Sequence, residues 1–270
     1  MLGKLIKHEF KNTSKVMLAI YGLVLGVTLL GTIVFALMNP DVSTDFSDFV
    51  ASSLMLLYGL SIFALFIVTY VYVCVHFYKT MYSDQGYLTH TLPVSTLSTF
   101  HVKLLVSFCW MLGALLLLLL SVFMLLIGAT HGKIFEAFNA EFWTELNVSF
   151  STIGISPGEF WTVIILNLII SCVSYLLLVY ASMSIGQLFN QNKIGFSIVT
   201  GIAIYFVEQI LSTMMTFSFS ISHSELFEAA TPLSDLWYNM IWASSLLSIF
   251  FMLALYVICI VIVRKHINLD

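Results

Sequence analysis

The chain has 270 residues, of which 60% are hydrophobic and only 9% are charged, and its mean hydropathy is +1.02. A soluble domain of ordinary composition has about 25% charged residues. So much apolar surface cannot be hidden in one water-soluble core, so the composition predicts an integral membrane protein. The formal net charge of −4 is less informative about the protein than the positions of the charged residues along the chain. No nucleic-acid partner is expected.

Six apolar runs are long enough to cross a bilayer, which takes about 20 helical residues. They are residues 16–38, 51–76, 104–127, 160–185, 194–214 and 236–263. Five runs lack Asp, Glu, Lys and Arg, and the remaining one contains only Glu208. All four prolines fall between the runs, where helices are expected to stop. The sequence therefore predicts one all-α transmembrane domain over residues 1–270, with six transmembrane helices.

The lysine and arginine residues set the expected orientation, because they favour the cytoplasmic side of a membrane. If both termini are cytoplasmic, all of these residues except Lys133 lie inside. Most acidic residues then lie outside. The rule predicts that residues 77–103 form a cytoplasmic loop and that residues 129–158 and 215–235 form extracellular loops.

Residues 1–15, MLGKLIKHEFKNTSK, have the pattern of an amphipathic helix that precedes the first span. Lys4, Lys7 and Lys11 share its basic face. Glu9 falls within the apolar arc, where a carboxylate needs a cationic partner or a water-filled niche. The helix can serve as a lipid anchor in the headgroup layer or as a specific docking element.

The cytoplasmic loop contains a second short helical pattern, in which four residues line one face: Tyr87, Leu88, Thr91 and Leu92. Gly86 can start this helix, and Pro93 ends it, because the residue before a proline is pushed out of helical geometry. Ser95 can cap the helix that leads into the third span. Such a stiff element can carry force between a soluble motor and the spans, or it can simply seal the inner surface.

The stretch SDQGYLTHTLPVSTLSTFHVKLL resembles the signature of ABC transporter permeases of the second type. The matching positions are Asp84, Gly86, Tyr87, Leu88, Leu92, Pro93, Val94, Ser95 and Lys103. In that family the segment is the coupling helix, which docks on the ATPase subunit, so the resemblance implies that Asp84, Gly86, Tyr87, Leu88, Thr91, Leu92 and Pro93 contact the motor. The N-terminal KHEFK resembles the amphipathic connecting helix of the family.

The resemblance implies an exporter whose motor is a separate polypeptide. A P-loop needs G-x-x-x-x-G-K-[ST], and neither Gly-Lys pair of this chain precedes Ser or Thr. ATP and Mg²⁺ would therefore be held by two copies of an ABC ATPase, and this chain would bind no cofactor and would not be an enzyme. A second permease copy or a paralogue would complete the transporter, in the cell membrane of a Gram-positive bacterium.

Glu208 and Gln209 are the candidate residues of a substrate path, because a charge at that depth costs at least about 2.5 kcal/mol unless it faces a cavity or partner. The alternative is a purely structural role, in which Glu208 is a carboxylic acid that is hydrogen-bonded to a Tyr or Ser of another helix. The aromatic-rich spans suit a hydrophobic or amphipathic substrate such as a peptide, lipid or drug.

The outer loop 129–158 contains four aromatic residues near helical spacing: Phe135, Phe138, Phe142 and Trp143. With the acidic residues between them, they predict an interfacial helix at the outer leaflet or, alternatively, a vestibule that meets amphipathic substrate.

Two further functions stay open on the sequence. One is an ion-coupled secondary transporter that uses Glu208, although no internal repeat or broken helix accompanies it. The other is a membrane scaffold or sensor partner that transports nothing. Neither H-E-x-x-H nor a nucleophile–His–acid set is visible, so an enzyme ranks last and no metal ligand is expected.

Overall fold

A computed structural model describes residues 2–38, 45–83, 85–86, 94–189, 192–222 and 233–265 of the chain. The described residues are almost entirely α-helical. Eight helices follow one another within them: α1 (Leu2–Leu37), α2 (Asp45–Met81), α3 (Thr96–Ala129), α4 (Ile134–Ala137), α5 (Ala140–Ile153), α6 (Pro157–Gly186), α7 (Lys193–Ser222) and α8 (Leu233–Lys265).

Six of these helices, namely α1, α2, α3, α6, α7 and α8, are long and apolar enough to cross a membrane. The prediction of a multi-pass, all-helical membrane protein is confirmed at that level. Each helix extends beyond the apolar run that predicted it at one or both ends, because the polar flanking residues continue the helical turns. Helix α2, for example, starts six residues before its run and ends five residues after it.

Helix α1 is continuous through the boundary that the sequence analysis set between residues 15 and 16. Its 36 residues correspond to a length of about 54 Å, whereas a hydrocarbon core is about 30 Å thick. Its buried positions form one uninterrupted stripe: Glu9, Thr13, Met17, Val24, Thr28 and Gly31. The steps of three, four and seven residues keep the stripe on one face of a straight helix, so the amphipathic segment and the span share their packed side.

The chain divides into two compact units. The first comprises residues 1–75 and 105–143, and it therefore contains α1 and parts of α2 and α3. Its buried centre consists of Val24, Leu65, Ala114 and Leu117, with one or two side chains from each helix. Close approach of α1 and α3 depends on Gly128, because a Cβ atom there would lie 2.5 Å from the backbone oxygen of Thr32.

The second unit comprises residues 76–104 and 144–270. Helix α6 packs against both α7 and α8. It begins at a complete capping box, in which Ser156 and Glu159 each accept a hydrogen bond from the backbone of the other. Between α6 and α8, Ser245 Oγ donates a hydrogen bond to Asn167 Oδ1 at 2.8 Å. Between α6 and α7, Thr200 Oγ1 donates to the carbonyl of Ser182 at 3.2 Å.

The segment predicted as an outer loop contains helical structure. Helices α4 and α5 fill most of residues 134–153. Three of its aromatic side chains, Phe135, Phe138 and Trp143, are exposed. The helical spacing in the sequence therefore identified a helix in this region, while the lipid contact inferred from it stays a prediction.

Candidate functional site

The predicted coupling segment lies mostly outside the described residues: this applies to Asp84, Tyr87, Leu88, Thr91, Leu92 and Pro93. Gly86 is described, and it is buried. Its backbone N–H donates a hydrogen bond to the carbonyl of Ser83 at 2.6 Å, which forms a tight turn after α2. The two ends of the loop, residues 77–83 and 94–103, are described in full, and they show how the loop is attached.

Both ends of the loop pack against one ring of α6. Phe77 from α2 stacks face to face on Tyr180, with ring centroids 3.6 Å apart and planes 8° apart. Phe100 from α3 meets both rings edge-on, at 6.2 Å from Phe77 and 6.1 Å from Tyr180. All three side chains are at most 1% exposed. Aromatic pairs of this kind contribute about 0.5–1.5 kcal/mol beyond their buried area.

A buried hydrogen-bond chain ties the first end of the loop to α6. Ser184 Oγ donates to the carbonyl of Tyr180 at 2.6 Å, so it can accept a hydrogen bond from Tyr82, whose hydroxyl lies 2.7 Å away. Burial raises the pKa of the Tyr82 hydroxyl well above its ordinary value. The hydroxyl therefore stays protonated across the physiological range and keeps its role as donor.

The second end of the loop also reaches α8. His101 Nε2 lies 2.7 Å from the hydroxyl of Tyr256, and the ring of Phe100 lies 6.4 Å from that of Tyr256. We use the name aromatic junction for the loop residues Phe77, Tyr82, Phe100 and His101 together with Tyr180, Ser184 and Tyr256. While these contacts hold, a displacement of the loop ends must move α6 and α8 as well.

The lysines of the predicted connecting helix and its glutamate occupy different faces of α1. Lys4, Lys7 and Lys11 are exposed, whereas Glu9 is 9% exposed. The carboxylate of Glu9 lies within electrostatic range of Tyr72 on α2. The structure therefore places Glu9 on the buried stripe of α1, while the three lysines face outward.

Trp110 of α3 holds this part of α1 in place. Its indole Nε1 donates to Thr13 Oγ1 at 2.8 Å, and Thr13 Oγ1 in turn donates to the carbonyl of Glu9 at 3.0 Å. Trp110 also accepts a hydrogen bond from Tyr21 through its carbonyl, and its ring lies 5.8 Å from that of Phe10. The first four turns of α1 are thus fixed to a neighbouring helix.

Glu208 lies near the middle of α7, 15 residues after Lys193, which corresponds to about 22 Å along the helix. Its side chain is half-buried, and that of Gln209 is exposed. Tyr175 on α6 lies within electrostatic range of Glu208 and of Tyr205. The structure therefore places one tyrosine of another helix, Tyr175, near Glu208, and its hydroxyl is of the kind that the structural interpretation requires.

Within the described residues, no group of three or more His, Cys, Asp or Glu side chains could hold a metal ion. The functional candidates that sequence reasoning missed are Phe77, Tyr82, Phe100, Tyr180 and Trp110. Their types gave a weak signal, since aromatic residues at the end of a span are common. Comparison of the chain with models of known protein families, with curated proteins and with solved structures finds no match.

Proposed function

We propose that this chain is the membrane-spanning permease subunit of an ATP-driven exporter of the second ABC type. The observation that carries the proposal is the aromatic junction. A short segment whose two ends are both fixed to α6, and through one end also to α8, is suited to pass a displacement from a soluble motor to spanning helices. The sequence of residues 81–103 supports the same role through its resemblance to a coupling helix.

In this proposal the motor is a separate ABC ATPase, present in two copies, that carries ATP and Mg²⁺. Residues 84–93 dock on it from the cytoplasmic side of the cell membrane, where both termini also lie. The basic face of α1, with Lys4, Lys7 and Lys11, lies against anionic lipid or against the motor. Glu9 and Thr13 on the opposite face join this segment to α2 and α3, so α1 moves together with its neighbours.

A second copy of the chain, or a paralogue, would complete the substrate path. Support comes from α7, whose apolar side chains are largely exposed, for example Ile198, Phe206 and Met214. Glu208 and Gln209 lie on this helix, and polar groups at such a depth favour pairing across a helix interface over contact with lipid. A hydrophobic or amphipathic substrate that passes between two copies would meet them.

The test is a pull-down of the tagged chain from its native host in mild detergent, followed by mass spectrometry. The comparison variant carries Asp at Tyr87, Leu88 and Leu92. A matched control carries Asp at three exposed outer aromatic residues, Phe135, Phe138 and Trp143. We expect a stoichiometric P-loop ATPase with the wild type and with the control, and its loss with the loop variant, while all three proteins stay monodisperse. Recovery of the wild-type chain alone in a folded state would contradict the proposal.

A secondary transporter is the second candidate, and the position of Glu208 beside Tyr175 favours it. A protonatable carboxylate next to a tyrosine hydroxyl can bind and release a proton or a cation during transport. This candidate predicts transport in vesicles that depends on an ion gradient and not on ATP. Equal transport by Glu208→Leu would exclude any role of the carboxylate, and normal transport by Glu208→Gln would exclude a role of its charge. A scaffold without transport activity predicts neither dependence.

A further inference from the structure

Gln187 is a buried amide that has no hydrogen-bond partner within the described part of the chain. Its side chain is 1% exposed, and both Nε2 and Oε1 are unpaired there. A glutamine amide has two N–H donors and two acceptor sites. Because the great majority of buried polar groups in native proteins are paired, a fully unpaired amide requires a physical explanation.

The other unpaired buried groups in the described residues are easier to explain, because each is a single hydroxyl group. Thr69 Oγ1 and Ser174 Oγ lie inside helices. A hydroxyl in a helix can rotate to donate to the carbonyl three or four residues earlier. Rotation about one bond cannot give hydrogen-bond partners to both Nε2 and Oε1 of Gln187. The unpaired state of this amide therefore needs a different explanation.

The position of Gln187 links it to the aromatic junction. It follows the last residue of α6 and lies three residues after Ser184, so the two side chains share one face of the helix end. Ser184 contacts the hydroxyl of Tyr82. The Gln187 amide is therefore buried on the side of α6 that holds the first end of the loop.

Hydrogen bonds and close packing restrain the backbone around Gln187. The Gln187 backbone N–H is within hydrogen-bond range of the carbonyls of Met183 and Ser184, at 3.2 and 3.3 Å. The preceding Gly186 packs so closely on α7 that a Cβ atom would collide with Ser197 and with the carbonyl of Lys193. Hydration of the amide therefore requires that an element on this face of α6 moves away. The elements on this face are the loop end at Tyr82 and α8, whose Cys259 also contacts Ser184.

We propose that Gln187 is a positioning residue that keeps the aromatic junction reversible. In the described arrangement the unpaired amide destabilises the contact between the loop end and α6. When residues 76–83 separate from α6, the amide is hydrated and this penalty is removed. Without it, the stacked rings and the buried hydrogen bonds would hold the loop end permanently in place. The inference does not depend on which motor or ion moves the loop.

The test is hydrogen–deuterium exchange of the full chain in lipid nanodiscs, with the amides of residues 76–83 as the readout. Gln187→Met keeps the side-chain volume and removes the unpaired amide. We expect these amides to exchange about tenfold more slowly in Gln187→Met than in the wild type, which is the effect of relieving one buried unpaired polar group. Tyr82→Phe removes a contact that holds the loop end and should accelerate exchange at the same amides.

Asn147→Leu is the matched control, because it also replaces an amide by an apolar group of similar size, at an exposed position of α5. It should leave exchange of residues 76–83 unchanged. Equal or faster exchange in Gln187→Met would overturn the proposal, since it would mean that ordered water already satisfies the amide in the described state. This outcome would leave the pull-down result unaffected, so the two proposals can fail separately.

Discussion

Phe77 and Tyr180 are 103 positions apart in the chain, yet their rings stack with centroids 3.6 Å apart and planes 8° apart. Phe77 lies near the end of α2, at the first position of the predicted cytoplasmic loop, and Tyr180 is buried in α6. The pair therefore links the start of the loop directly to the packed interior of the second unit.

Phe77→Ala should lower the free energy of unfolding by about 3–5 kcal/mol, because it removes a fully buried ring and leaves a cavity. Thermal unfolding in a fixed detergent measures the change. Phe63→Ala on the same helix is the control, since Phe63 is 66% exposed and its loss should have a much smaller effect. Equal effects of the two substitutions would show that the stacked pair is not part of the stable core.

Tyr82→Phe should lower the stability by about 1 kcal/mol at neutral pH, through loss of the hydrogen bond to Ser184. Combination with Ser184→Ala in a double-mutant cycle isolates that bond. A cycle in which the two effects simply add would indicate that the hydroxyl groups do not interact.

The same tyrosine predicts a pH dependence. Burial raises the pKa of Tyr82 in the folded protein, while the unfolded chain has an ordinary tyrosine pKa of about 10. The unfolded state then loses this proton first as the pH rises, so the stabilising contribution is complete below about pH 10 and declines above it. Unfolding curves between pH 8 and 11 should fall more steeply for the wild type than for Tyr82→Phe. Parallel curves would show that Tyr82 is not protected from titration.

Trp110→Phe should destabilise the first unit by about 1 kcal/mol, because it keeps a ring beside Phe10 but removes the hydrogen bond from Nε1 to Thr13. Thermal unfolding of the single variants and of the combination with Thr13→Val tests the bond. Trp161→Phe is the control, because Trp161 is 52% exposed. A loss of stability in the control as large as that in Trp110→Phe would assign the effect to the indole ring in general.

Gly186→Ala and Gly59→Ala should change the stability of the protein in opposite directions. The added methyl group at Gly186 would collide with Ser197 and the backbone of Lys193 and cost about 1–3 kcal/mol. At Gly59 an added Cβ atom would meet nothing within 4 Å beyond the backbone of its own helix, so alanine should stabilise α2 by about 0.5–1 kcal/mol through its higher helix propensity. Stabilisation by Gly186→Ala would mean that α6 and α7 are farther apart than described.

The sequence by itself determined the six spanning helices, because the cost of exposing polar backbone and side chains to hydrocarbon is local and additive along the chain. It also placed Glu9 within the apolar arc of its segment, since a helical period needs no tertiary information. The pattern changes between residues 15 and 16, and this suggested two elements. A continuous buried stripe runs from Glu9 to Gly31. Packing of this one face against α2 and α3 stabilises α1 as a single continuous helix.

Only the tertiary structure decided which residues meet. Phe77, Phe100 and Tyr180 are three of 40 aromatic residues, and nothing local distinguishes them from rings that face lipid. Their pairing depends on the register between α6 and the ends of α2 and α3 that belong to the second unit, which is set by packing between these segments. The burial of Gln187 is likewise a tertiary property: the residue lies at the end of α6 beside Gly186, where α6 and α7 are in close contact, and the sequence shows only an ordinary polar residue at a helix end.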